Sequence, residues 1–185
     1  MDDVRAAFDE VPREWFLPKS QRRFASYDGP LPIGHAQTSS QPRTVEKMLR
    51  LLDVRRCQRV LDVGSGSGWT TGLLAHLTGP EGSVLGVELE PDLVRFGSEN
   101  LARTGFDWAS IVAADPAVVG VPERGPFDRV LVSAAAPRLP DELLDTLADP
   151  GRLVIPVRGE MVLVVRDGGR LKRSRHGSYR FVPLR

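Results

Sequence analysis

A chain of 185 residues is long enough for one domain with a full core and not comfortably for two. Apolar residues make up 41% and charged residues 26%, a balance that excludes a disordered chain. The formal net charge of +1 supplies no global attraction to nucleic acid or membrane, and a single cysteine, Cys57, excludes an internal disulfide and fits a reducing compartment.

Residues 1–16 read as a helix, with Val4, Phe8 and Val11 spaced for one buried face and Pro12 limiting it. Residues 17–42 read as irregular, broken by Pro18, Gly29-Pro30, Pro32, Gly34 and Pro42. A loop of that length is usually functional or disordered, and Phe24, Tyr27, Leu31 and Ile33 argue against disorder. Residues 44–52 read as a helix whose Val45, Met48, Leu49 and Leu52 share a face. A strand at 60–63, a helix at 69–77 and a strand at 84–88 follow. Pro91 suits the first turn of the next helix, which Gly105 ends. Strands at 110–113 and 127–133, a helix at 140–147 and a strand at 151–156 come next. Residues 161–166 and those from Arg170 onward flank Asp167-Gly168-Gly169, a hairpin turn. This order predicts an α/β fold: a mostly parallel sheet, helices on both faces, and an antiparallel C-terminal edge. One domain over 1–185 is expected, with an N-terminal covering segment at 1–52 and the core at 53–185. No early apolar run resembles a signal peptide and none is long enough for a bilayer, so a soluble cytoplasmic monomer is expected.

The most informative stretch is Val60-Leu61-Asp62-Val63-Gly64-Ser65-Gly66-Ser67-Gly68-Trp69. Glycines after a strand let the backbone turn tightly and approach a ligand. Trp69 stands where a dinucleotide fingerprint needs its third small residue, which disfavours a nicotinamide or flavin cofactor. Asp62 before the loop suits a cofactor with an ammonium group and no pyrophosphate. Glu88 at the next strand end can accept hydrogen bonds from both ribose hydroxyls, and Ala114-Asp115 after the third strand can read an adenine amine. Together these point to S-adenosylmethionine in a Rossmann-like class I methyltransferase fold. The bland alternative is that Asp62 and Glu88 merely cap helices or loops.

The substrate is not named by that core. Two N-terminal blocks, Val11-Pro12-Arg13-Glu14-Trp15-Phe16 and Leu31-Pro32-Ile33-Gly34-His35-Ala36-Gln37-Thr38-Ser39-Ser40-Gln41-Pro42, resemble the protein-L-isoaspartate O-methyltransferase family. So do Ser133-Ala134-Ala135-Ala136-Pro137, Gly151-Arg152-Leu153-Val154-Ile155-Pro156-Val157 and Arg180-Phe181-Val182-Pro183-Leu184. The blocks occur in the family's order along nearly the whole chain. The resemblance implies methylation of the α-carboxylate of L-isoaspartyl residues in damaged proteins or peptides, followed by spontaneous closure to a succinimide. S-adenosyl-L-homocysteine would be the cofactor product.

The resemblance also implies site roles. Ser40 is the expected active-site residue. Gln37, Thr38, Ser39 and Ser40 would lie over the cofactor, with Asp62, Gly64, Ser65, Gly66, Ser67, Gly68, Glu88, Leu89, Ala114, Asp115 and Ser133 completing its site. Pro32, Ile33, Gly34, Thr38, Ser40, Phe181, Val182, Pro183 and Leu184 would frame the peptide. The chemistry agrees: a carboxylate is already ionised at neutral pH, so the work is to orient it and strip its water. From the residues alone, turn formation or capping is the preferred explanation of Ser39 and Ser40.

Departures from the family pattern are Ser39 for an aliphatic residue, Arg43 for an aromatic or histidine, and Pro116 after Asp115. The chain also opens almost at its Val-Pro-Arg element and closes just after Leu184. These features raise a methyltransferase acting on aspartate in a biosynthetic peptide or on a small molecule, or a non-catalytic binding module. His35, His76 and His176 lack metal-ligand spacing, so no metal is expected. Arg170, Lys172, Arg173, Arg175 and Arg180 read as a solvated hairpin face without stacking aromatics, so no nucleic-acid or membrane partner is expected. Trp69 and Trp108 read as packing residues, and Cys57 as a space-filler.

Overall fold

The computed structural model describes residues 2–185. Helix α1 (Asp3–Glu10) is capped by Asp2, whose carboxylate accepts the Arg5 amide at 3.3 Å. The predicted helix over 1–16 is therefore cut short, and its Met1 lies outside the described residues. Pro12 forces Val11 out of helical geometry, and Arg13–Phe16 form a separate 3-10 turn. The segment read as irregular contains a small antiparallel hairpin, β1 (Leu31–Gly34) and β2 (Gln37–Ser39). Its tip residues His35 and Ala36 have φ of 53° and 56°, a conformation usually signalled by Asn-Gly and invisible here.

Helix α2 (Pro42–Leu52) precedes β3 (Arg59–Val63), α3 (Trp69–Thr78), β4 (Ser83–Glu88), α4 (Pro91–Ala102), β5 (Ala109–Ala113) and β6 (Phe127–Val132). Helix α5 (Asp141–Asp145), β7 (Leu147–Val157), β8 (Glu160–Asp167) and β9 (Arg170–Ser178) complete the chain. The strands form one sheet in the order β5-β4-β3-β6-β7-β8-β9. Pairings from β5 to β7 are parallel and those of β8 and β9 antiparallel, as the alternation of elements predicts. The α5 and β7 boundaries shift from 140–147 and 151–156: Leu147 already pairs with Phe127, and a register irregularity absorbs the Asp149-Pro150 break.

The parallel strands are apolar because both faces are covered. One face packs α1, α2 and α3 through Ala7, Met48, Leu52, Leu73 and Leu74 into one cluster with Val60, Leu131 and Val154. The other packs Leu61, Val130, Val132 and Ile155 against Leu143 and Leu144 of α5. Gly72 of α3 admits the N-terminal segment: a Cβ there would stand 3.0 Å from Phe16 Cζ and 3.1 Å from Val11 Cγ1. Cys57 does not fill the core; it is exposed in a turn at φ 65°, with its thiol 3.8 Å from Glu81. The Asp167-Gly168-Gly169 turn forms as predicted, its glycine amides held by the Asp149 carboxylate.

After β9 the chain returns to the rim where the parallel strands end. Ala135 donates its amide to Val182 O at 2.8 Å, and Leu184 donates to Ala135 O at 2.9 Å. Phe181-Val182-Pro183-Leu184 is thus held as an extended segment beside the end of β6 without joining the main sheet.

Candidate active site

The carboxyl ends of β3, β4 and β6 open onto a cavity of about 930 Å³, counting its mouth. Its floor is the turn between β3 and α3. Gly64, Gly66 and Gly68 all have positive φ, 77°, 54° and 89°, which glycine adopts without strain. The amides of Gly64 and Ser65 donate to Val87 O at 2.9 and 3.1 Å, tying the turn to β4. A Cβ at Gly68 would lie 2.9 Å from Gly97 O, and one at Gly97 would lie 2.8 Å from Gly66 O. Loop and α4 therefore touch through three glycines, Gly66 and Gly68 on one side and Gly97 on the other.

Glu88 ends β4 and is 7% exposed. Its Oε2 accepts the Gly66 amide at 2.9 Å, while Oε1 accepts those of Leu89 and Glu90 at 2.8 and 3.0 Å. Three amides anchor the carboxylate against the loop. Asp62, wholly buried beneath the turn, accepts the hydroxyls of Thr70 and Thr71 at 2.8 and 2.7 Å on one oxygen. Burial pushes its carboxyl up to about 6 against those two hydroxyls, with the charge of Glu88 adding to the rise.

Two segments cover the floor. The β1–β2 hairpin lays Ile33 over the turn, 3.2 Å from where a Cβ of Gly66 would stand. The C-terminal segment brings Val182, Pro183, Leu184 and Arg185 to the opposite wall. Both meet the start of α4 at the mouth: Arg185 donates to Glu90 at 2.8 Å, and His35 Nε2 lies 3.3 Å from Asp92.

Most expected site residues converge here. Gln37, Thr38, Ser39 and Ser40 line the cavity together with Gly64, Ser65, Gly66 and Ser67. Glu88, Leu89, Ala114, Asp115 and Ser133 line it, as do Ile33, Val182, Pro183 and Leu184. Asp62 and Gly68 lie just outside, one under the turn and one packed on α4. Pro32 and Gly34 alternate outward along β1, and Phe181 packs against the core instead of lining the cavity. Sequence reasoning missed the wall formed by Val118, Val119 and Gly120, the mouth residue Arg185, and Thr70. It also assigned no role to Arg13, which is 5% exposed and bonds the Ser39 and Ser40 carbonyls at 2.9 Å each. Trp69 packs in the core and also forms part of the cavity wall.

The donors and acceptors fit S-adenosylmethionine. Asp62 Oδ1 and Ser65 Oγ are buried without a hydrogen-bond partner among the described residues, a pair of acceptors suited to a ligand rich in N–H groups. Glu88 offers an anchored carboxylate to a diol, and the glycine turn leaves room for close approach. The methionine ammonium would lie toward Asp62 and Ser65, and the ribose toward Glu88.

Comparison with known proteins agrees with this geometry. A protein-L-isoaspartate O-methyltransferase from Methanocella arvoryzae is 44% identical over 179 residues, covering 95% of each chain. A Plasmodium falciparum structure described as a protein-L-isoaspartate O-methyltransferase in complex with S-adenosyl-L-homocysteine superposes with a TM-score of 0.89 at 30% identity. That match covers 100% of this chain and 91% of the other. Another solved protein-L-isoaspartate O-methyltransferase gives 0.90 at 26% identity; this chain is covered in full and spans 61% of that longer one. The family model for protein-L-isoaspartate(D-aspartate) O-methyltransferase matches residues 1–185, and with the relatives' similarity end to end it places the chain in that family.

Proposed function

We infer that this enzyme transfers a methyl group from S-adenosylmethionine to the free α-carboxylate of L-isoaspartyl residues in proteins and peptides. The observation that carries the reading is the placement of Ser40. It lines the same cavity as the glycine turn, and its hydroxyl makes no hydrogen bond among the described residues, while the flanking Ser39 and Gln41 side chains are both engaged.

The cofactor supplies an electrophilic methyl on a sulfonium when bound. The chain's own residues do the rest. The acceptor carboxylate is ionised at neutral pH and needs no base. Ser40 can donate its hydroxyl to one carboxylate oxygen, leaving the other free to attack. Ile33 from the hairpin and Val182 and Leu184 from the tail supply apolar walls that exclude water from the anion. Holding the two reactants in line supplies most of the acceleration.

The departures from the family pattern do not favour another acceptor. Ser39 turns its hydroxyl to Arg13, 3.1 Å from Nε, and Arg43 pairs with Asp28 at 3.3 Å away from the cavity. Pro116 lies on the exposed surface outside the cavity lining. We place the enzyme in the cytoplasm as a monomer acting on protein, not nucleic acid. An exposed thiol suits a reducing compartment, and the cations of β9 lie on a sheet edge, where charge blocks strand addition. Among the described residues, no helix is long and apolar enough to cross a membrane.

The test uses a labelled methyl donor with paired peptides that differ only in isoaspartate or aspartate. Base-labile label on the isoaspartyl peptide alone is expected. Label on the aspartyl peptide alone would transfer the reading to an aspartate-modifying relative, and label on neither, with S-adenosyl-L-homocysteine bound, would leave a binding module.

A further inference from the structure

The acceptor segment is held by a buried cation with no carboxylate in contact among the described residues. The Arg13 guanidinium donates from Nη1 to Tyr27 O at 3.0 Å and from Nη2 to Gly29 O, Ser39 O and Ser40 O at 2.9 Å each. Nε donates to Ser39 Oγ at 3.1 Å. One face of the group stacks on the Trp69 ring, 5.3 Å from its centroid, and Trp69 is itself a cavity wall. Burial lowers Arg13 to about 10, which leaves it charged at neutral pH, offset by carbonyl dipoles, the Ser39 hydroxyl, the Trp69 ring and the more distant Asp28.

Asp28, from the same turn, grips the chain on the other side of Ser40. Its carboxylate accepts the Arg43 amide at 3.0 Å and the Gln41 side chain at 3.2 Å, and its carbonyl accepts Gln41 again at 2.9 Å. The segment from Ser39 to Arg43 is thus pinned to the turn at 27–29 by one cation and one anion. The side chains before and after Ser40 are both spent on these pins. Ser40 keeps its hydroxyl free while its carbonyl is drawn back toward Arg13.

We propose that Arg13 is a positioning residue for methyl transfer: its planar fork clasps the Ser39 and Ser40 carbonyls to the 27–29 turn and so aims the Ser40 hydroxyl into the cavity. The proposal rests on the acceptor role given to Ser40 above. A lysine retains the charge but cannot span four carbonyls as a fork. A misplacement of about 1 Å at such a group costs on the order of a hundredfold in rate.

The decisive measurement is a double-mutant cycle on turnover with an isoaspartyl peptide. Arg13→Lys should lower kcat about 10- to 100-fold, with S-adenosyl-L-homocysteine affinity held within about threefold by the unaltered glycine turn. In the Ser40→Ala background the same change should cost less than about threefold, because Arg13 acts through Ser40. Full, multiplying losses in both backgrounds would overturn the proposal, as would a parallel collapse of cofactor affinity. If Arg13→Lys fails to fold, exposed Asp28→Asn loosens the same segment and enters the same cycle with the same criterion. Failure of the unaltered chain to methylate any isoaspartyl peptide would defeat the functional reading instead. Hydrogen exchange then decides the clasp: faster exchange at residues 39–41 of the variant, with 64–68 unchanged, is expected, and equal exchange overturns it.

Discussion

The Glu88 carboxylate holds the Gly66 amide at 2.9 Å and so joins the end of one strand to the turn that follows its neighbour. Among the described residues its two oxygens accept only from backbone N–H groups. Glu88→Gln presents an NH₂ to at least one of these donors and leaves it facing another donor. An unpaired buried amide costs about 1–3 kcal/mol. Affinity for S-adenosyl-L-homocysteine, measured by calorimetry, should fall about 10- to 100-fold. Unchanged affinity would show that the carboxylate is structural alone.

Ser40→Ala removes the free hydroxyl from the cavity wall while the Arg13 bond to its carbonyl survives. Turnover should drop about 10- to 100-fold through lost orientation of the acceptor. Cofactor affinity should stay within about threefold, because the floor of the site is untouched. Steady-state kinetics beside equilibrium titration of S-adenosyl-L-homocysteine separates the two; an equal loss in both would move Ser40 from the acceptor to the cofactor.

Gly97→Ala inverts the usual rule for helix interiors, where alanine gains about 1 kcal/mol over glycine. The added methyl would lie 2.8 Å from Gly66 O and 3.0 Å from Ile111 Cδ1. Neither the backbone oxygen nor the strand behind it can retreat without lifting the turn. Thermal unfolding should report a net loss of about 1–3 kcal/mol, accompanied by weaker cofactor binding. A gain in stability would mean that α4 slides freely along the loop.

Asp62 should set a pH dependence. Its carboxyl rises from the ordinary 3.8 to about 6 on folding, so the native state binds the proton more tightly than the unfolded chain. The contribution of this group to stability is therefore greatest below about pH 4 and declines by up to about 3 kcal/mol as pH rises through 6. Denaturant titrations from pH 4 to 7 should show that decline, and Asp62→Asn should flatten it. An ammonium beside the carboxylate favours its ionised form, so S-adenosyl-L-homocysteine affinity should climb with pH up to about 6 and then level. A flat affinity profile across that range would place the ammonium elsewhere.

Much of the cavity floor was legible because its signals are local. A strand, a glycine turn and a helix are contiguous in sequence, and an acid at a strand end lands on the carboxyl rim whenever the strands run parallel. Asp62, Glu88 and the three glycines needed only that rule. The β1–β2 hairpin was hidden, since His35 and Ala36 adopt positive φ without the residues that advertise it. The period of two along β1 was hidden with it, so Pro32 and Gly34 could not be told apart from inward-facing Ile33.

By itself the sequence determined the parallel α/β order, the glycine turn and the type of cofactor, because each is written in short-range periodicity and in residue types with one conformational use. The tertiary structure alone decided what lies over that turn. Arg13 is 26 residues from Ser39, and Arg185 is 95 from Glu90. Such pairs carry no spacing signal. The first exists because a buried guanidinium must find carbonyls, the second because an exposed one pairs with a carboxylate, and folding brings both within reach.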